Sequence, residues 1–205
     1  MTRPAPVTLT IVALGDSTTA GTPGFKSPIE APPDGEGNVE SQYAFWLTKR
    51  HPGWRVLNRG VNGERSDQIR ARFDRDVVRA SADAVIVIAG VNDIYQGRPA
   101  QAVIAELEAI YSAARTHRIA CIAGSIVPYN TATPDANARM RDVNAWIRAA
   151  APRLGIVFCD TRAAVADPDD PDRLSSSPDD LHPSAEGYRR MALALEPAVA
   201  SAVKV

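Results

Sequence analysis

Alternation is what most constrains this chain. Five short apolar runs lie at residues 7–14, 54–60, 83–89, 118–127 and 155–159. Between and after them, apolar residues recur at helical spacing at 41–51, 66–79, 99–117, 135–151 and 184–203. A strand–helix–strand alternation implies a parallel sheet, because a parallel neighbour is reached only through a crossover. Right-handed crossovers then place helices on both faces, which gives an α/β fold. The run Ala84-Val85-Ile86-Val87-Ile88-Ala89 has no polar residue and belongs at the sheet centre. With 205 residues, no internal repeat and no linker, the expectation is one domain over 1–205. Residues 22–40 interrupt the alternation with Pro23, Gly24, Pro28, Pro32, Pro33, Gly35 and Gly37, so they are read as an insertion, either a lid or a surface loop.

Topology then sorts the chemistry. Segments that follow strands leave the sheet at the edge where open α/β folds bind ligands; segments that follow helices leave at the other edge. The first run ends in Gly15-Asp16-Ser17-Thr18-Thr19-Ala20-Gly21, which presents the Ser17 hydroxyl at the ligand edge. Ser17 would equally suit the cap of a following helix, so it decides nothing alone. Of the three histidines, His51 and His117 end helices and fall on the opposite edge. His182 closes the loop 160–183 and falls on the Ser17 edge, three residues after Asp179. Asp179-Asp180 alone would read as a solvated acidic turn. An Asp-x-x-His spacing, however, lets the carboxylate fold back onto the imidazole. Hydroxyl, imidazole and carboxylate on one edge are the parts that acyl transfer requires. Asp16 is expected to brace the Ser17 turn through local backbone N–H groups.

Composition narrows the partners. Net charge is −1, and no basic stripe is present, which argues against nucleic acid. No apolar run approaches the ~18 residues of a membrane span. Cys121 and Cys159 lie inside apolar runs and read as inert core thiols. No Cys or His spacing suggests a metal, and no cofactor is expected. The first residues lead into a strand without an apolar signal core, so the expected location is cytoplasmic, or secreted if a leader has been removed.

Four blocks now stand in order: Gly15-Asp16-Ser17, Asn58-Arg59-Gly60-Val61-Asn62-Gly63, Gly90-Val91-Asn92-Asp93 and Asp179-Asp180-Leu181-His182. Together they resemble the SGNH (GDSL) hydrolases, lipase- and esterase-like serine hydrolases. The resemblance implies a three-layer, flavodoxin-like fold with a five-stranded parallel sheet in the order 2-1-3-4-5. It also implies ester hydrolysis through a Ser-His-Asp triad and an acyl-enzyme. By motif, Ser17 resembles the nucleophile, His182 the general base and Asp179 the residue that orients it. The backbone N–H groups of Ser17 and Gly63 and the amide of Asn92 resemble the oxyanion hole. Thr18 departs from the Leu of the family's older name, at a position that carries no catalytic role. Ile94, Tyr95, Val127, Pro128, Tyr129 and the insertion leave the active edge and are expected to line the substrate pocket. Two other readings use the same fold: a flavin protein holding phosphate at Ser17-Thr18-Thr19, and a non-catalytic relative that binds a ligand in the groove.

Overall fold

The computed structural model describes residues 9–203. Val7 and Thr8, assigned above to the first strand, lie outside the described residues. In chain order the elements are β1 (Leu9–Gly15), α1 (Ser17–Ala20), a short hairpin of β2 (Phe25–Lys26) and β3 (Glu36–Gly37), and α2 (Tyr43–Arg50). Then come β4 (Trp54–Gly60), α3 (Ser66–Ala71), β5 (Ala84–Ile88), α4 (Val91–Tyr95) and α5 (Ala100–Thr116). The chain continues through β6 (Ala120–Gly124), α6 (Pro134–Leu154), β7 (Val157–Cys159), α7 (Thr161–Val165) and α8 (Ala185–Ala202). The main sheet is five-stranded and parallel, in the order β4-β1-β5-β6-β7. Counted along the sheet alone this is 2-1-3-4-5, the order the resemblance implied.

The strands alternate between two cores, as a period of two requires. Val12 and Leu14 of β1, Val85 and Val87 of β5, and Cys121 and Ala123 of β6 face the side covered by α3, α5 and α6. Ile11 and Ala13, Ala84, Ile86 and Ile88, and Ile122 face the side covered by α2, α7 and α8. Both cysteines are buried and free, and burial pushes each thiol up to about 12. Reactivity needs the thiolate, so both are inert at neutral pH. His51 stacks on Trp54 and lies 2.8 Å from Glu196, while His117 lies near Asp74; both follow helices and precede strands. Among the described residues, no helix is long and apolar enough to cross a membrane.

Several boundaries differ from the sequence reading, each for a local reason. The helix expected at 66–79 is α3 followed by a wider π turn at Asp74–Val78. Ile69, Phe73 and Val77 still reach the same core. Ser66 is the first helical residue rather than the cap, because Asp93 takes its hydroxyl and N–H. The strand expected at 118–127 is cut to Ala120–Gly124, its start set by Arg118 in the left-handed region at φ 57°. The loop at 160–183 contains α7, capped by the Asp160 carboxylate. The insertion is not irregular throughout: Phe25 pairs with Gly37 and Lys26 with Glu36, and Phe25 is buried.

Candidate active site

The site begins where β1 ends. Asp16 leaves the strand and caps α1, its Oδ1 accepting the Thr18 N–H at 2.9 Å. That cap places Ser17 in the first turn, only 4 % exposed but open to a cavity. The turn is packed hard against β4. A Cβ at Gly60 would stand 2.1 Å from the Ala20 nitrogen, so only glycine admits this approach. Tyr43 supports the turn from the other core through a 3.0 Å hydroxyl contact with Thr19.

His182 arrives from the far end of the chain. Its Nε2 lies 2.9 Å from Ser17 Oγ, and its Nδ1 lies 2.7 Å from Asp179 Oδ2. Asp179 folds back on its own loop, Oδ1 accepting the N–H groups of Leu181 and His182. Burial pushes the Asp179 carboxyl up, but the His182 ring and these two N–H groups outweigh it and hold the pKa below the usual value. The carboxylate therefore stays charged at neutral pH. With the ring proton held on Nδ1, the Nε2 lone pair faces the Ser17 hydroxyl. Ser177 and Asn130 secure this loop. Ser177 donates to the His182 carbonyl at 2.7 Å, and the Asn130 amide donates to Asp180 Oδ1 at 2.9 Å. Asp180 itself sits at φ 62°, the turn that sends the chain back toward Ser17.

The remaining candidates come from the loops after β4 and β5. Gly63 has φ +77°, the left-handed region that glycine occupies freely, and open space lies where a Cβ would be. Asn92 opens α4 and donates one amide hydrogen to the Glu64 carbonyl at 2.9 Å. A side-chain amide has two hydrogens, so one remains for a ligand. A cavity of about 180 Å³ joins Ser17, Asn92, His182, Tyr95 and Tyr129. Asn62, Val91 and Leu181, not anticipated from sequence, complete its wall. Tyr95 is 63 % exposed and meets Tyr129 edge-to-face at 5.8 Å.

Other expected pocket residues lie elsewhere. Ile94 is buried in the core beneath α4, and Val127 and Pro128 are buried without lining this cavity. Successive side chains on a helix are turned by about 100°, which leaves Tyr95 facing out while Ile94 faces in. Nor does the insertion line it. Pro28 and Pro33 instead wall a separate cavity of about 490 Å³ beside β4, which holds neither Ser17 nor His182. The insertion touches the site indirectly: Glu30 accepts the Asn62 N–H at 2.8 Å, and Ser27 donates to the Gly60 carbonyl at 2.6 Å. Asp16 Oδ1 accepts the Thr18 N–H, yet its Oδ2 is buried without a partner, and burial pushes its carboxyl up to about 7. Among the described residues, no cluster of three or more His, Cys, Asp or Glu side chains could hold a metal ion.

A hydroxyl, an imidazole and an ionised carboxylate in line, beside amide donors, can activate an oxygen nucleophile and receive a developing anion. The overall shape matches solved hydrolases. A GDSL-like lipase from Bacteroides thetaiotaomicron superposes with a TM-score of 0.75 at 22% identity, over 94% of this chain and 88% of that one. An acetylxylan esterase from Geobacillus stearothermophilus, solved as a catalytic mutant, gives 0.72 at 19% identity, over 96% of each chain. No curated protein sequence shows significant similarity. Residues 13–190 match the GDSL-like Lipase/Acylhydrolase family, from the end of β1 into α8, a span that takes in every candidate residue above. The chain belongs to the GDSL-like lipase/acylhydrolase family.

Proposed function

We propose that this chain hydrolyses carboxylic esters through an acyl-enzyme formed on Ser17, with His182 as general base and Asp179 holding the imidazole. The observation that carries the reading is the contact between Ser17 Oγ and His182 Nε2 at 2.9 Å, across 165 positions of sequence, continued by the 2.7 Å contact to Asp179. In this reading His182 takes the Ser17 proton as the hydroxyl attacks the ester carbonyl. The resulting oxyanion is received by the Ser17 and Gly63 N–H groups and the free Asn92 hydrogen. Collapse expels the alcohol, which takes its proton from His182, and water repeats the sequence to release the acid. Asp179 remains charged and stabilises the imidazolium in both halves.

The size of the cavity favours small acyl groups. About 180 Å³ is well below the 300–1,000 Å³ typical of drug-sized ligands, so a long acyl chain would lie on the surface beside Tyr95 and Leu181. The two solved relatives span both possibilities, one named a lipase and the other an acetylxylan esterase. The test is a p-nitrophenyl ester series of rising chain length, run with wild type and Ser17→Ala. Acetate and butyrate are expected to be cleaved fastest. Ser17→Ala is expected to lose activity at unchanged melting temperature, and a fluorophosphonate should add its mass at Ser17 alone. Full activity in the variant would overturn the nucleophile, and a preference for long chains would overturn the substrate class.

A further inference from the structure

Arg72 lies outside the four sequence blocks, at the end of α3, yet it is only 6 % exposed. Its guanidinium reaches three segments at once. Nη2 donates to the Gly15 carbonyl at 2.7 Å, at the end of β1, two residues before Ser17. Nη1 donates to the Arg59 carbonyl at 2.7 Å, near the end of β4, on the chain that turns toward Gly63. Nε donates to the Glu64 carboxylate at 2.6 Å, on the residue after Gly63. Glu64 in turn offers its backbone carbonyl to the Asn92 amide. The segments that carry the three amide donors assigned above to the oxyanion are therefore all tied, by their backbone carbonyls or through Glu64, to one planar cation.

The charge is anchored from behind. Nη1 also donates to Asp76 at 2.8 Å, and Asp76 is held by Arg75 through two further contacts. Burial pushes the Asp76 carboxyl up, but Arg75 and Arg72 outweigh it and keep it below its ordinary value. A buried guanidinium with every arm engaged has a single available geometry, because its donors form a rigid fork. Lysine, with one compact ammonium, cannot span the same acceptors.

We infer that Arg72 is the positioning residue for the oxyanion site, holding the Ser17 turn, the Gly63 loop and Asn92 in one register. This rests on the reading of Ser17, Gly63 and Asn92 given above. Arg72 touches no substrate; it acts by fixing donors that must match the position of the transition-state oxygen. Misplacement by an ångström can cost about a hundredfold in rate, so the expected effect falls on kcat, with KM near its original value.

The experiment compares wild type, Arg72→Lys, Asn92→Ala and the double variant on p-nitrophenyl acetate, with rates expressed per Ser17 titrated by fluorophosphonate. Arg72→Lys is expected to lower kcat about ten- to a hundredfold at unchanged KM. In the Asn92→Ala background the same change is expected to cost less, because one of the three donors it positions is already gone. Should Arg72→Lys fail to fold, Glu64→Gln replaces it, keeping shape while removing the charge that Nε engages; the same non-additivity is expected on a smaller scale. An unchanged kcat per titrated site, or losses that simply multiply, would make Arg72 a stabilising residue only and overturn the inference. Activity surviving in Ser17→Ala would instead overturn the underlying function, an outcome that none of the Arg72 measurements can imitate.

Discussion

At the level of single residues, the informative signal in the sequence was chemical scarcity. Only three histidines are present, and topology alone separated His182 from the other two. The structure brings its ring to Ser17 and Asp179 because Asp-x-x-His closes a local turn, and local turns are legible from spacing. Arg72 was not legible. It is one of many arginines on amphipathic helices, and its acceptors are carbonyl oxygens at strand ends, which leave no trace in side-chain pattern. Ser177 was missed for the same reason, since its acceptor is the His182 carbonyl. Asn92 is the residue whose role is most sharply testable. A neutral substrate carbonyl gains little from one amide donor, whereas an oxyanion makes a charge-assisted bond. Asn92→Ala is therefore expected to reduce kcat by roughly 10² to 10³ with KM little changed. Steady-state kinetics on one short ester checks it. A raised KM at intact kcat would make Asn92 a substrate-binding residue instead.

At the level of elements, the buried strands were legible because parallel strands between helical layers are continuous apolar runs. The short helices α4 and α7 were not, because five residues give no periodicity to read. The insertion was misjudged in a more useful way. Its exit beside Ser17 suggested a pocket wall, but the hairpin closes on Phe25 and turns the stretch toward β4. What it supplies to the site is Glu30, whose two carboxylate oxygens hold the N–H groups of Ser27 and Asn62. Asn62 precedes Gly63, so Glu30 constrains the loop that carries one proposed oxyanion donor. Glu30→Ala is expected to slow hydrolysis of every ester in a chain-length series by one common factor, since no part of the insertion touches the acyl cavity. A change in the relative rates would place the insertion against the substrate after all.

At the level of the whole molecule, stability against pH is shaped by two opposing sets of carboxylates. Asp67, Asp76, Asp172, Asp179, Glu186 and Glu196 all have lowered pKa values, so the stability they contribute is present above their unfolded values and lost on acidification. Asp16 runs the other way. Fully buried at the end of β1 with Oδ2 unpartnered, it has an ordinary value of 3.8 and is pushed up to about 7 in the fold, despite the opposing Thr18 N–H. Below pH 3.8 both folded and unfolded forms carry the proton, and the fold bears no charge penalty. Between 3.8 and 7 the unfolded chain ionises while the folded carboxyl stays neutral, so Asp16 progressively favours unfolding. Above 7 the folded form ionises too, and the loss levels off. Asparagine keeps the Thr18 cap and removes the charge. Asp16→Asn is thus expected to gain stability relative to wild type as pH rises from about 4 to 7, then to hold a constant margin. Each unit of the shift is worth about 1.4 kcal/mol, which makes the final margin a few kcal/mol. Urea unfolding of both proteins across that pH range measures it. A difference that stays flat from pH 4 to 8 would mean that Asp16 is ionised in the fold throughout, with a partner or water satisfying Oδ2.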